Sequence, residues 1–267
     1  MENEWTKELQ ALILMIKNIS TSVLHAVLFL IISTTSVHAS EVYSFTGSTS
    51  YGGGYGNSMV FGDDDELTVT AWGFTGSGGT IQTGEISRWS TGLGACNRRE
   101  GTAGNGCSTS SEHQVDNASY DDLVLFYFSR AVQFDQIRLD PWSNYTVDAV
   151  TYWIGTIDDD NLNGLGDSLS SSNSSGLLSK GFSSPVTSTF AATSSPVNVA
   201  LAGIGNALLI GGVRDAASND NDYFKIASLT VSAVPIPAAA PLFGGALSLL
   251  GFLSWRPHKR PQVVVTQ

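Results

Sequence analysis

Basic residues are scarce in the central part of this chain, and histidine is nearly missing from it. Between residues 40 and 233 lysine occurs only as Lys180 and Lys225, and histidine only as His113. Eight basic residues stand against 21 acidic ones there, a net charge of −13. Such a surface repels phosphates and has no basic footprint to offset that, which excludes nucleic acid as a partner. Long stretches of Glu, Lys, Leu and Ala are missing too, and with them the material for a helical domain. Cysteine is confined to Cys96 and Cys107. With one histidine and no third thiol, a zinc set is disfavoured.

What is present is Ser, Thr, Gly and Asn with plentiful aromatics, a composition of strands and turns. Runs with strand character lie at 41–45, 67–72, 123–128, 132–139, 147–154, 186–191, 197–202, 207–210 and 223–231. Residues 67–72 alternate with period two, whereas 123–128 is continuously apolar, as a buried central strand would be. In 132–139 the inward positions are Val132, Phe134 and one of Ile137 or Leu139. Gly/Asn/Asp/Ser clusters separate the runs. Eight or nine short strands without a credible helix predict an all-β domain over 40–233, a jelly-roll-like β-sandwich. The Gly/Ser-rich stretch 161–184 reads as the least structured part of the body, and its run 168–175 as a long solvated loop.

Both ends of the chain are apolar and read as targeting segments. Residues 1–39 form a signal peptide whose effective start is Met15, since residues 1–10 are too acidic for an n-region. An apolar stretch at 23–32 follows, then Val37-His38-Ala39, which places cleavage between Ala39 and Ser40. About ten apolar residues are short for a retained membrane span. At the other end, residues 234–241 read Val-Pro-Ile-Pro-Ala-Ala-Ala-Pro and lead into an apolar helix over 238–255. Arg256, Lys259 and Arg260 close it, and residues 261–267 trail as a cytoplasmic tail. Eighteen helical residues reach about 27 Å, marginal for a bilayer core of about 30 Å. The basic cluster would stay inside and leave the body outside, in agreement with the signal peptide.

Val234, Pro235, Pro237 and Ala238, the Leu242-Phe243-Gly244-Gly245-Ala246-Leu247 run and the basic stop together resemble the PEP-CTERM sorting signal in its Val-Pro-x-Pro-Ala variant. That resemblance covers 234–260. It implies recognition by an exosortase, a membrane cysteine transpeptidase, with transient residence in the inner membrane. Release to the cell surface or to an extracellular polysaccharide matrix (a biofilm) would follow. Within the body, Leu93-Gly94, His113-x-x-Asp116-Asn117 and Asp121-Asp122 with the strand after them resemble exosortase-dependent surface proteins. This second resemblance implies export but no reaction.

An even pair of cysteines in an oxidising exterior predicts a Cys96–Cys107 disulfide. His113 beside Asp116 has no nucleophile-framing motif near any serine, so a hydrogen-bonded turn histidine is expected rather than a catalytic base. Asp159, Asn161, Asn163 and Asp167 match part of a calcium loop, but Ser170 stands where the bidentate acid belongs, so only a weak site is expected. No other cofactor is implied. Trp72, Trp89, Trp142, Trp153, Tyr51 and Tyr55 are candidates for stacking on sugars; Trp72 and Trp153 are better explained as core, and the loop-like stretch 51–56 with Tyr51 and Tyr55 is the better candidate for a glycan contact. The expectation is therefore a non-enzymatic exported surface protein associated with polysaccharide. A carbohydrate-binding module is the first alternative, and a secreted polysaccharide hydrolase the second.

Overall fold

The apolar run 123–128 and the alternating run 132–139 belong to a single strand, and that strand organises the molecule. The computed structural model describes residues 10, 39–48, 50–51, 58–63, 66–75, 79–101, 107, 113–118, 120–143, 145–167, 175–212, 221–234 and 243–247. Residues Ala39–Val234 form one compact unit. In chain order its elements are β1 (Ser40–Ser44), β2 (Ser50–Tyr51), β3 (Ser58–Phe61), β4 (Leu67–Phe74), β5 (Ile81–Thr83), β6 (Glu85–Trp89) and β7 (Gly92–Cys96). Then come β8 (Val115–Asp116), β9 (Asp122–Pro141), β10 (Val147–Gly155), the short helix α1 (Ser175–Lys180), β11 (Val186–Thr193), β12 (Val197–Gly212) and β13 (Tyr223–Ala233). The domain is all-β, and its described strand pairs are antiparallel in one 13-stranded sheet.

The 20-residue strand β9 pairs with β12 along most of its length. Its other edge changes partner midway. Leu123–Phe128 lie against β4, whereas Val132–Pro141 lie against β13. One continuous sheet thus folds over itself and supplies both layers. Aromatic contacts bridge the fold: Tyr43 meets Phe128 at 5.5 Å between ring centroids, and Phe45 meets Phe126 at 5.3 Å. Tyr43 belongs to β1, which pairs with β13, while Phe126 and Phe128 sit on the β4-paired half of β9.

Alternation along β9 assigns its side chains to two cores. Val124, Phe126 and Phe128 face the larger core with Val132, Phe134, Ile137 and Leu139. Leu123 and Leu125 point the other way, into a second core with Trp72, Trp153, Leu209, Leu162, Leu177 and Phe182. A strand buried on both faces must be apolar at every position, which is what 123–128 displays. Both Ile137 and Leu139 point inward, not one of them. The register slips between Thr230 and Val231, so Asp135 has no opposite number on β13. That bulge resets the alternation and places Phe134 and Ile137, three apart, on one face.

The stretch 161–184, expected to be the least structured part of the body, carries ordered structure at both ends. Leu162, Leu177 and Phe182 are buried and roof the second core, and 175–180 is helical. Its Ser-rich centre, 168–174, lies outside the described residues. Asp167 explains the helix start: its two carboxylate oxygens accept the amide N–H groups of Gly176 (2.9 Å) and Leu177 (2.5 Å). These are N-terminal donors that the helix itself cannot satisfy.

Cys96, the last residue of β7, is bonded to Cys107, their Cα atoms 5.6 Å apart. Both are buried. Closing so short a loop restricts the unfolded chain by about 2–3 kcal/mol. Reduction, or Cys96→Ser with Cys107→Ser, should therefore lower the melting temperature by about 4–12 °C. Calorimetry with and without reductant checks this, and coincident melts would rule out a stabilising role.

The predicted signal-cleavage point and the start of the predicted sorting motif are neighbours in space. Ser40 pairs with Ser232, and the carbonyl of Ala39 accepts the amide of Ala233. Val234 follows β13 directly, while Pro235, Pro237 and Ala238 lie outside the described residues. So does most of the predicted sorting helix, of which 243–247 is described and helical. Among the described residues, no helix is long and apolar enough to cross a membrane.

Candidate functional site

The second core is roofed by a segment that is held at three points, and a groove opens beside it. The side-chain amide of Asn206 donates to the carbonyl of Ile157 and accepts its N–H, both at 2.9 Å. Further on, the N–H of Ile81 reaches the Leu165 carbonyl at 2.6 Å, and the N–H of Gly164 reaches the Ile81 carbonyl at 2.9 Å. Leu162 is inserted beneath, fully buried. Residues 160–163 are thereby fixed opposite the edge of β4 and β5. Between them lies a groove of about 350 Å³ lined by Thr70, Ala71, Trp72, Thr83, Asp160, Asn161 and Asn163.

Each wall presents defined chemistry. The indole N–H of Trp72 donates to the Thr70 hydroxyl at 2.8 Å, so the ring is fixed; it belongs to the second core and, 4% exposed, borders the groove without opening a broad face to it. On the facing loop, the Asp159 carboxylate accepts the N–H of Asn161 (3.1 Å), and the Asn161 side-chain carbonyl accepts the N–H of Asn163 (3.0 Å). These Asx turns fix Asn161, whose side-chain oxygen already accepts one bond and whose side-chain N–H groups can donate. Asp160 is the one carboxylate among the described lining residues, and no Lys, Arg or His is among them.

The residues expected to hold calcium are engaged otherwise. Asp159 is paired with Lys180, an exposed ion pair that, with the Asn161 amide, lowers the carboxyl's pKa. Asp167 is buried and turned toward α1. Asn161 and Asn163 line the groove instead. As arranged, Lys180 holds one of the two carboxylates and two α1 amides hold the other, so a cation here would have to displace an exposed ion pair. Among the described residues, the acids with ligand atoms within 4.8 Å of one another are Glu100, Asp116 and Asp122, the last two fully buried.

His113, Asp116 and Asn117 form the centre of a buried knot. The imidazole lies 4.4 Å from the Trp89 ring and 4.9 Å from the Trp142 ring, centroid to centroid. Lys225, fully buried on β13, donates from Nζ to the His113 carbonyl at 2.9 Å and sits 4.9 and 5.0 Å from the same two indoles. Burial pushes its pKa down to about 7, against the attraction of Asp140. Asn117 accepts the N–H of Asp222 at 2.8 Å, and Asp222 accepts that of Asp148 at 2.9 Å. Burial pushes the Asp222 carboxyl up to about 7 despite those amide bonds. Gly94 is required here: a Cβ would lie 1.9 Å from the His113 carbonyl oxygen. The Leu-Gly, His-x-x-Asp-Asn and Asp-Asp residues thus tie β7, β8, β9 and β13 together. The imidazole packs between two indoles, the surroundings of a core histidine rather than of a base that activates a nucleophile.

Outside the knot, Trp142 leads into a turn that carries Tyr145, whose ring stacks at 4.2 Å on Tyr223. Ser143 in this turn has φ 52°, the single non-glycine residue in the left-handed region among those described. Trp153 is buried in the second core, Tyr51 ends β2, and Tyr55 lies outside the described residues.

No family model and no curated relative matches the sequence. One solved structure similar in part is the CBM32 of AlyQ in complex with 4,5-unsaturated mannuronic acid, at 14% identity. The match covers 47% of this chain and 80% of that one at a TM-score of 0.19, too low to carry an argument about site or ligand.

Proposed function

We propose that this chain is an exported, non-catalytic glycan-binding protein of the cell exterior, delivered there by its C-terminal sorting signal. The observation that carries the binding half is the groove beside Trp72. Beside a fixed, largely buried indole it gathers hydroxyl, amide and carboxylate groups from two elements, the kind of polar set by which protein sites orient a hydroxylated ligand. Its volume is near the lower end of ligand sites, so it accommodates about one or two sugar residues. The Trp142–Tyr145–Tyr223 surface is a weaker candidate because Trp142 already packs on His113 and Lys225.

Hydrolysis finds less support. A glycosidase needs two carboxyl groups across the scissile bond, about 5–9.5 Å apart. The groove offers Asp160 alone among its described lining residues. Retention on immobilised polysaccharide, with no new reducing ends after prolonged incubation, is the expected result. Reducing ends that accumulate in proportion to protein would replace binding by hydrolysis.

The sorting half rests on residues 234–260 of the sequence. Pro235→Ala with Pro237→Ala should leave an unprocessed, membrane-retained precursor, read by immunoblot of membrane and exterior fractions. Normal release of that double variant would remove the exosortase reading.

A further inference from the structure

We infer that the groove discriminates by charge, accepting neutral and amine-bearing glycans and rejecting those that carry uronate or sulfate. This rests on the glycan reading of the same groove. Proteins that hold acidic sugars ordinarily offset the ligand's charge with Arg or Lys, and the described lining contains neither. The nearest cation in the loop network, Lys180, is bonded to Asp159 and so is neutralised where it stands. Asp160 lines the groove next to one further acid of the turn, Asp158, the charge of Asp159 being offset by Lys180, on a body with net charge −13.

The amide and hydroxyl groups of the lining serve neutral and acidic sugars alike, so charge selection falls to Asp160. The Asn161 side-chain carbonyl already accepts the Asn163 amide, and Trp72 has its N–H taken by Thr70. What faces a ligand is therefore one carboxylate acceptor with amide and hydroxyl groups, beside a largely buried indole. Vicinal sugar hydroxyls satisfy a carboxylate well, and an ammonium satisfies it better. A uronate placed about 5 Å from Asp160 meets like charge instead. That repulsion corresponds to about fourfold weaker binding at the dielectric of water and about two-hundredfold at an effective value near 20.

The test uses the mature exported protein and its Asp160→Asn variant, titrated calorimetrically at pH 7 with neutral gluco-oligosaccharides, glucosamine oligomers and oligouronates of equal length. The expected result is oligouronate binding at least about tenfold weaker than neutral binding, with the gap narrowing in Asp160→Asn and at about 0.3 M salt. Glucosamine oligomers should bind at least as tightly as neutral ones and lose that advantage in the variant. Oligouronates that bind as tightly as neutral sugars, with no change in Asp160→Asn, would overturn charge selection while leaving glycan binding intact. Absence of binding by all three would overturn both.

Discussion

Stability measured against pH should pass through a minimum near pH 7, and two substitutions should flatten its two limbs separately. Asp222 is buried and its carboxyl is raised from 3.8 to about 7. Between those values the folded protein holds a proton that the unfolded chain has released. Its stabilising contribution is therefore complete below about pH 4 and is lost as pH rises through 7. Lys225 does the reverse. Its amine is lowered from 10.5 to about 7 by burial, with Asp140 opposing. Above pH 7 the folded state has given up a proton that the unfolded chain keeps, so stability rises from pH 7 toward 10.5. Each pKa unit corresponds to about 1.4 kcal/mol, so either limb is on the order of a few kcal/mol, several degrees of melting temperature. The groups that face them are Asp148 and the Ala149 amide for the Asp222 carboxyl, and Asp140, Trp89, Trp142 and the His113 carbonyl for Lys225. Asp222→Asn should reduce the slope between pH 4 and 7, and Lys225→Met the slope between 7 and 10. Slopes equal to those of the unaltered protein would mean that neither group is held as described.

Leu177→Ala should cost about 2–5 kcal/mol, lowering the melting temperature by about 4–20 °C. Leu177 is the buried residue of α1, 1% exposed. It packs with Trp153, Leu209 and Phe182 on the outer face of the sheet. Truncation removes apolar contact and leaves a cavity that the surrounding strands, hydrogen-bonded on both edges, can close only in part. Leu178 beside it is 47% exposed, and Leu178→Ala should change stability by less than about 0.5 kcal/mol. Denaturant titration of both variants separates a structured roof from a solvated loop. Equal, small effects would mean that 161–184 does not cover a second core.

The roof is invisible in the sequence for a physical reason. Leu162, Leu177 and Phe182 are far apart in a Gly/Ser-rich stretch and share no period, so no helical or strand pattern marks them. Their partners, Leu123, Leu125 and Leu209, lie on other strands. The continuous run at 123–128 does announce burial on both faces, although what covers the second face is set by tertiary placement. The all-β class is equally legible, because β-branched and aromatic runs between Gly/Asn/Asp turns are local signals. The link between 123–128 and 132–139 is not. Ser129, Arg130 and Ala131 look like a turn, yet β9 runs through them. Asp159, Asn161 and Asn163 read as metal ligands from spacing alone; the same spacing builds successive Asx turns, which only the folded loop reveals. Trp72 reads as core, which accounts for its 4% exposure, but its place on the groove wall depends on a loop some ninety residues later. Lys225 and Asp222 have no visible partner in the sequence, since theirs come from residues 113–117, 140 and 148.

The most direct test of the binding site is an NMR titration of the ¹⁵N-labelled mature protein with a neutral oligosaccharide. The indole N–H of Trp72 and the side-chain amides of Asn161 and Asn163 give separate, assignable signals at three points of the groove wall. These should shift together and saturate with one affinity, while the indole N–H signals of Trp89 and Trp142 remain in place. Shifts confined to Trp142 and the Tyr145–Tyr223 turn, or no shifts at saturating sugar, would contradict a glycan site in the groove.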